Sequence, residues 1–556
     1  VNTISTKSRN KQSTTGQKQA SVQKSAETQA GAPGSDLSER AWQLSSLAIL
    51  FAGAFLRLFK LSLVPLHHDE GVNGNFLISL VRDGKYFYDP QNYHGPTLYY
   101  FSAIIPWVVR FFGGKVAGDN YGLTTFNIRL VTVVFGVATI WLALTLRRRI
   151  GTVGALCAAG LIAISPGAIY LSRYFIHESL FVFFTLAIVV AGLKYYETGR
   201  GLYLILASIS AALMFATKET WIMNGPVLLI AWISTAIYFW VRESLDHARP
   251  GQAPLADRWR ETIDRLGGLI PLLTIALTAF AVFIVVAVLF YSSFFTNYPK
   301  GVSDALKTLN LWRQRTHEHE HPWWQYIYWL LWQEGALMLF GGVGALIALW
   351  RANNRLALFL AQWSIGLLAA YSLVGYKTPW ISLNFIVPLA LTSGYALEFI
   401  YQKLREFQEP ALFLPIPLLI VGLCGYQSYQ LNFVHYDDDQ LPYVYAHTKR
   451  PMLTMLDQIE SIAQKNGTGT DTGIAIVSPD YWPLPWYFRN YKKVGYYSQI
   501  TPTNEAIIIG SEAQEEQLKG TYGDRYDMLK SNFEDGAYPL RPGVDLVLYV
   551  RRDVKR

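Results

Sequence analysis

The sequence predicts a mainly α-helical bundle that crosses a membrane about eleven times and ends in a small α/β domain outside it. Three observations carry this prediction. Of 556 residues, 51% are apolar and only 16% charged, a balance too greasy for a soluble enzyme of this size. Apolar runs of about 17 to 25 residues, enough to cross a bilayer core as helix, recur from residue 41 to about residue 430. From 431 to 556 the composition turns mixed, with short strand-like patterns and one amphipathic helix.

Residues 1–40, rich in Ser, Thr, Gln, Ala and Lys, cannot bury enough apolar surface to fold and read as a disordered cytoplasmic tail. The first apolar run begins far from residue 1 and is long enough to span, so no cleaved signal is expected. Spans are expected at about 42–62, 127–147, 152–171, 178–196, 201–217, 220–241, 269–291, 334–350, 356–375, 380–400 and 411–430. Orientation follows from the basic loops. With the N-terminus inside, "RRR" at 147–149, Lys194 with Arg200, the five arginines between 242 and 265, "RANNR" at 351–355 and "QKLRE" at 402–406 all fall on the cytoplasmic side. Such loops account for the net charge of +8, and no nucleic-acid partner is implied. Cys157 and Cys424 both fall inside apolar runs and define no disulfide framework.

The run "PTLYYFSAIIPWVVRFFG" at 96–113 is left out of the count. A crossing there would reverse every later loop and carry the triple arginine outside. It reads as an interfacial or re-entrant helix within a long first outer loop, 65–126. In the C-terminal domain, 431–556, "PMLTMLDQIESIAQK" (451–465) has helical apolar spacing, while "GIAIVS" (473–478), "EAIIIGS" (505–511) and "VDLVLYV" (544–550) read as short buried strands.

This arrangement gathers the ionisable clusters on the outer face: "HHDEG" (67–71), "YHGPTLYY" (93–100), "SRYFIHES" (172–179), "ATKET" (216–220), "RTHEHEHPWW" (315–324) and "GYKTPW" (375–380). Charges at span ends are costly unless paired or useful, so six clusters on one face mark a site at the outer membrane boundary. Asp69 and Glu70 are the acidic pair from which one carboxylate acts as general base on a hydroxyl while the other orients. The plainer reading of Asp69 is a helix N-cap. Arg173, Lys218 and Lys377 are candidate cations for a substrate phosphate, against the alternative of snorkelling ends. His177 and Glu178 complete an acceptor or metal site. Metal candidates are Asp69, Glu178 and His68 in one set, and His317, His319 and His321 in the alternating "THEHEH" in another; a gating loop explains the latter equally well. The Trp- and Tyr-rich stretches 322–332 and 480–491 fit an interfacial aromatic belt.

An acidic pair after the first span, a Pro-Thr-Leu-Tyr helix in the same loop, a charged second outer loop and an outer C-terminal domain together resemble the GT-C superfamily of integral-membrane glycosyltransferases. The likeness is to the protein mannosyltransferase and aminoarabinose transferase branch, over about residues 42–400. "HHDEG…YHGPTLYYF" and "SRYFIHESLFVFF" also resemble a prokaryotic subfamily associated with flippase activity in glycosylation. The resemblance implies that Asp69 is the catalytic aspartate and Glu70 its acidic neighbour, with Glu178 the acidic residue of the second loop. Gly95 stands where the family often has proline, and His177 is a departure. It further implies a polyprenyl-phosphate-sugar donor, inversion at the anomeric carbon, and Arg173, Lys218 and Lys377 on the departing phosphate. His94, Tyr99, His177 and Glu178 are then expected around the acceptor or the sugar. The acceptor is a protein, lipid or glycan hydroxyl, and the location the plasma (inner) membrane, with site and C-terminal domain extracytoplasmic. No cofactor is required by these residues, and a divalent cation stays open. The rival function is a lipid-linked-sugar flippase component or transporter without catalysis.

Overall fold

A computed structural model describes residues 37–556 apart from Tyr93, 114–120, 247–262, Arg265, 315–319 and 534–535. Most of the expected tail and the histidines His317 and His319 therefore lie outside the described residues.

The membrane part is built from α1 (Glu39–Leu58), α2 (His68–Asp83), α3 (Thr97–Gly113), α4 (Thr125–Leu144), α5 (Thr152–Ile164), α6 (Pro166–Ser172), α7 (Glu178–Thr198), α8 (Gly201–Phe215) and α9 (Trp221–Asp246). It continues through α10 (Leu269–Tyr291), α11 (Lys300–Gln314), α12 (Gln325–Gln333), α13 (Gly335–Arg351), α14 (Arg355–Leu373), α15 (Leu383–Glu406) and α16 (Pro415–Tyr429). Among the described residues eight helices are long and apolar enough to cross a membrane, and up to ten if each of two bent pairs counts once. The chain is a multi-pass membrane protein.

Each of the eleven expected spans has its helix, but three are not straight crossings. Pro166, which has no amide hydrogen to continue α5, starts α6 at 57° to it. α12 meets α13 at 113°, leaving Trp323, Trp324, Tyr328 and Trp332 exposed along its flank as an interfacial belt requires. α8, with 15 residues, is about 22 Å long, short of the roughly 30 Å hydrocarbon core.

The basic loops meet at one end of the bundle. Arg147 pairs with Glu39 at 2.8 Å, Arg149 with Glu197 at 2.6 Å, and Asn354 donates to the Arg149 carbonyl at 3.1 Å. Arg242 reaches the Ala352 carbonyl at 2.6 Å and Arg355 the Tyr196 hydroxyl at 2.9 Å. The Glu39–Arg147 contact requires an even number of crossings between those residues. Helices α1 and α4 supply them, so α3 does not cross, and the reading of 96–113 as interfacial or re-entrant fits this constraint.

Beyond α16 the chain builds a mixed six-stranded sheet: β1 (Gly473–Ile476), β2 (Lys493–Tyr496), β3 (Ile507–Ser511), β4 (Tyr526–Leu529), β5 (Tyr538–Arg541) and β6 (Val544–Arg551). The order is β2-β1-β3-β6-β4, with β5 also pairing β6. β1 runs parallel to β2 and β3, and the pairs with β6 are antiparallel. Alternation along the strands buries both faces. Ile474, Ile476, Ile507, Ile509, Leu546 and Leu548 face Met452, Met455 and Ile459 of α17 (Pro451–Lys465), while Ala475, Val477, Ile508 and Val547 face Leu518 and Tyr522 of α18 (Glu515–Tyr522).

The sheet domain docks on α2. The Tyr487 hydroxyl oxygen accepts the Leu66 N–H across the interface at 2.9 Å, and Arg82 donates to the Arg489 carbonyl at 2.5 Å. Trp486, 1% exposed, packs so close to α2 that a Cβ on Gly74 would lie 2.7 Å from its ring. The expectation that 480–491 forms an aromatic belt therefore fails at Trp486, whose ring is a wedge between domain and helix. Gly74→Ala is expected to cost about 1–3 kcal/mol through overpacking, read as a lower midpoint in thermal unfolding and faster protease cleavage within 431–556.

Candidate active site

The N-terminus of α2 fixes the acidic pair in opposite roles. His67 is its N-cap: its Nδ1 accepts the Asp69 N–H at 3.1 Å, and Glu70 accepts the His67 N–H at 2.9 Å. This reciprocal capping box satisfies two amides that would otherwise lack partners. His67 Nε2 donates to the Tyr445 carbonyl at 3.0 Å, which sets the tautomer and links the cap to the chain after α16.

Glu70 is fully buried and takes a bidentate bond from Arg129 at 2.7 and 2.6 Å, together with the Phe175 N–H at 2.7 Å. Arg129 in turn donates to the carbonyls of Leu61, Val64 and Pro65. With its oxygens so engaged and no access to solvent, Glu70 is a structural anchor, and the expectation of a catalytic role for it is corrected. Asp69, one position earlier on the helix, has a side chain 37% exposed. Its carboxylate accepts no hydrogen bond from the described residues and faces a cavity of about 380 Å³.

That cavity brings together His67, His68, Asp69, His94 and Lys218 from the expected site. Lys218 is buried and ion-paired with Glu178. Burial works against its charge, and Glu178 and Glu219 outweigh burial, holding the amine above its ordinary value. His94 Nδ1 lies 2.9 Å from Glu219. Burial pushes the Glu219 carboxyl up, but His94 and Lys218 bring it below the ordinary range. Burial lowers the His68 imidazole although Asp69 beside it opposes the shift.

Other expected residues stand behind the wall. Tyr99 donates to Asn73 at 2.9 Å and accepts from Asn92 at 3.1 Å, positioning two amides that do line the cavity. His177 donates to the Gly95 carbonyl at 3.1 Å, its ring centroid 4.9 Å from that of His94. Gly95 sits where a Cβ would lie 2.0 Å from the Ala216 carbonyl oxygen. Only glycine allows the His94 loop to run this close to Lys218 and Glu219.

Two expected phosphate ligands are corrected. Arg173 donates to the carbonyls of Leu56, Arg57, Phe59 and Lys60 at 2.6–3.2 Å, capping the negative end of α1. Lys377 donates to the His321 and Val374 carbonyls, closing the loop in which 320 and 376 pair. Neither lines the cavity. Of the metal sets, His317 and His319 lie outside the described residues. Among the described residues no three His, Cys, Asp or Glu side chains gather to hold an ion; Glu178 already has Lys218 against it, and the His321 ring packs on Trp329.

The cavity wall also holds residues the sequence reading passed over: Glu219, Gln91, Asn92, Trp380, Tyr445 and Arg541. Glu219 lay beside Lys218 in "ATKET" and carried the same span-end signal. Arg541 comes from β5 of the C-terminal domain, where it bonds to Asp480 and to the Trp482 carbonyl.

Comparison with known proteins agrees with this architecture. Residues 103–249 match the family of dolichyl-phosphate-mannose-protein mannosyltransferases. The match includes Lys218 and Glu219 and begins after Asp69. The structure is similar to ArnT from Cupriavidus metallidurans bound to undecaprenyl phosphate, with a TM-score of 0.60 and 14% identity, covering 92% of this chain and 98% of that one. The apo state of the same ArnT gives a TM-score of 0.57 at 14% identity, with the same coverage. The oligosaccharyltransferase of Archaeoglobus fulgidus in its apo form gives a TM-score of 0.51 at 16% identity, covering 83% of this chain and 65% of that one. No curated protein matches the chain. The partial family match and the shared fold are both in line with the resemblance drawn from the sequence.

Replacing Arg129 with Met leaves the Glu70 carboxylate buried without its counter-charge, and is expected to destabilise the protein by about 3–5 kcal/mol, measured by denaturation in detergent. A second expectation concerns pH. His447 is buried beside His67 and Tyr174, and burial, with the His67 and Arg129 charges adding to it, holds its imidazole well below 6.5. The unfolded chain therefore takes up a proton that the folded one refuses. This contribution to stability is whole above about pH 6.5 and is lost as pH falls below it. Unfolding midpoints recorded from pH 8 to pH 5 are expected to drop, and to drop less in His447→Phe.

Proposed function

We propose that the protein is an inverting glycosyltransferase that moves a sugar from a polyprenyl-phosphate donor to an acceptor hydroxyl. The observation that carries this reading is the Asp69 carboxylate, free of hydrogen bonds from described residues, in a cavity shared with the charged Lys218. A general base needs its oxygen unengaged and within reach of the hydroxyl it deprotonates. Asp69 takes the acceptor proton as the hydroxyl oxygen bonds to the anomeric carbon from the face opposite the phosphate. The bond from that carbon to the phosphate oxygen breaks, its electron pair leaving with the lipid phosphate.

Lys218 faces the departing phosphate and stabilises its growing charge. Glu178 holds the amine in place from behind, and Glu219 does the same for His94. Arg541 offers a second cation from the C-terminal side of the cavity. Trp380, Tyr371, Tyr376 and Tyr445 supply the aromatic surfaces on which a sugar packs. Among the described residues Lys218 already neutralises Glu178 and no three ligating side chains gather, so no step is routed through a metal. Since basic loops favour the cytoplasm and gather at the opposite end, the cavity and the sheet domain lie on the extracytoplasmic side of the plasma membrane.

The test is transfer of labelled sugar from polyprenyl phosphate to native membranes by the purified protein. Asp69→Asn is expected to lower the rate by 10²–10⁴ while lipid-phosphate binding persists; Lys218→Met should weaken that binding; and a chelator should leave the rate unchanged. Full transfer by Asp69→Asn refutes the base assignment. Lipid binding and translocation without transfer by the unaltered protein would support a flippase component instead.

A further inference from the structure

Outside the reaction cavity, the C-terminal ends of α2 and α3 meet the turn 486–490 of the sheet domain around one tyrosine. The Arg110 guanidinium lies 4.3 Å from the Tyr121 ring centroid and that of Arg82 5.3 Å. Arg82 also donates to the Arg489 carbonyl at 2.5 Å and to Asn490 at 2.5 Å. Arg489 donates to the carbonyls of Trp486 and Leu123 at 2.6 and 2.7 Å and stacks 4.3 Å from the Trp486 ring. Every described partner of Arg110 and Arg489 is thus an aromatic ring or a backbone carbonyl. Burial, with the Arg82 charge adding to it, lowers the Arg489 guanidinium to about 10. Among the described residues no carboxylate bonds to Arg110 or Arg489.

The neighbouring surface is apolar. On α3, Ile104, Trp107, Val108 and Val109 are 44–50% exposed, and Phe111 and Phe112 are more than 80% exposed. α3 packs on α4, whose Val134 and Trp141 are exposed in turn, so the patch continues onto the surface of a spanning helix. Aromatic and aliphatic side chains facing outward, with guanidinium groups beside them, describe a helix lying in a bilayer interface. Tyrosine and tryptophan favour the same depth. The residue at that depth with matching charge is a lipid phosphate.

We propose that Arg82, Arg110 and Arg489 around Tyr121 bind the phosphate of an anionic membrane phospholipid, with α3 seated in the interface beside it. None of the four residues lines the reaction cavity, so the site is distinct from that of any sugar donor. Seating α3 in this way braces α2, and through it the Asp69 turn, against the membrane surface.

The test uses the full-length protein in nanodiscs of phosphatidylcholine mixed with phosphatidylglycerol, followed by native mass spectrometry of retained lipid. Enrichment of phosphatidylglycerol is expected, falling about fivefold in each of Arg110→Gln and Arg489→Gln, the factor expected for one surface arginine near anionic lipid. Arg110→Lys should keep most of it. Because the described contact of the Arg110 guanidinium is its stack on Tyr121, Arg110→Gln should leave the unfolding midpoint in place, which separates lost binding from lost folding. No enrichment, or enrichment untouched by both Gln variants, overturns the proposal. Displacement by millimolar inorganic phosphate would make it a free-anion site and overturn the lipid reading. One-for-one displacement by polyprenyl phosphate would make it the donor's own site and do the same.

Discussion

The buried Glu70–Arg129 pair is the interaction on which the candidate site depends. Removing two charges from water costs several kcal/mol per ion, and a buried pair is tolerable only when its remaining oxygens and hydrogens find partners. Here they do. Glu70 takes two bonds from Arg129 and one each from the His67 and Phe175 amides, and Arg129 uses its other hydrogens on three carbonyls of the 61–65 loop. One ion pair thereby ties together the exit of α1, the cap of α2, the body of α4 and the loop before α7. The helix then dictates the rest. Successive residues project about 100° apart, so once Glu70 points into the protein, Asp69 must point away from it, and the direction it takes is the cavity.

Within the cavity, opposite charges are arranged in answered pairs: Lys218 with Glu178, His94 with Glu219, and Arg541 with Asp480. Asp69 is the exception among these carboxylates, its nearest basic atom being His67 Nδ1 at 3.9 Å. That nitrogen is already accepting the Asp69 amide and offers the carboxylate no proton. Pairing stabilises the other groups in a partly desolvated space and fixes their rotamers. Leaving one carboxylate unanswered keeps an acceptor available for a proton that arrives with a ligand.

The location of the site was legible because charge at a span end is expensive in any membrane protein. Asp69, His94 and Lys218 were found on that ground. Its inner organisation was not. Adjacent acids in a sequence carry no sign of helix phase, so nothing in "DE" says that the second is buried against an arginine 59 positions away. Arg173 and Lys377 met the same span-end criterion, but their hydrogens go to backbone carbonyls, and a need of that kind leaves no trace in side-chain pattern. The helices were legible from length and apolarity, whereas the 113° turn at Glu334 is marked by no proline and only by Gly335 just after it, one of many glycines in the apolar runs. In the sheet, the continuous apolar strands β1, β3 and β6 stood out; β2, β4 and β5 are four-residue strands of mixed polarity. Pro539 inside β5 further obscured the strand that delivers Arg541, since proline weakens any strand signal.

That last omission matters for what the C-terminal domain is. The likeness to ArnT covers 92% of this chain, which leaves out about 44 residues, far fewer than the 126 of 431–556, so most of the sheet domain belongs to the shared fold. Its contacts explain why it would be kept with the bundle. The Tyr445 carbonyl holds the His67 ring that caps α2, Trp486 wedges against Gly74 of the same helix, and Arg541 forms part of the cavity wall. The sheet adds Arg541 to a wall otherwise built by the bundle and its loops, and because the domain holds Leu66, Gly74 and Arg82 around the Asp69 turn, any shift of the domain is transmitted to the carboxylate itself. A region with no readable motif is thus part of the cavity wall, acting through position and packing.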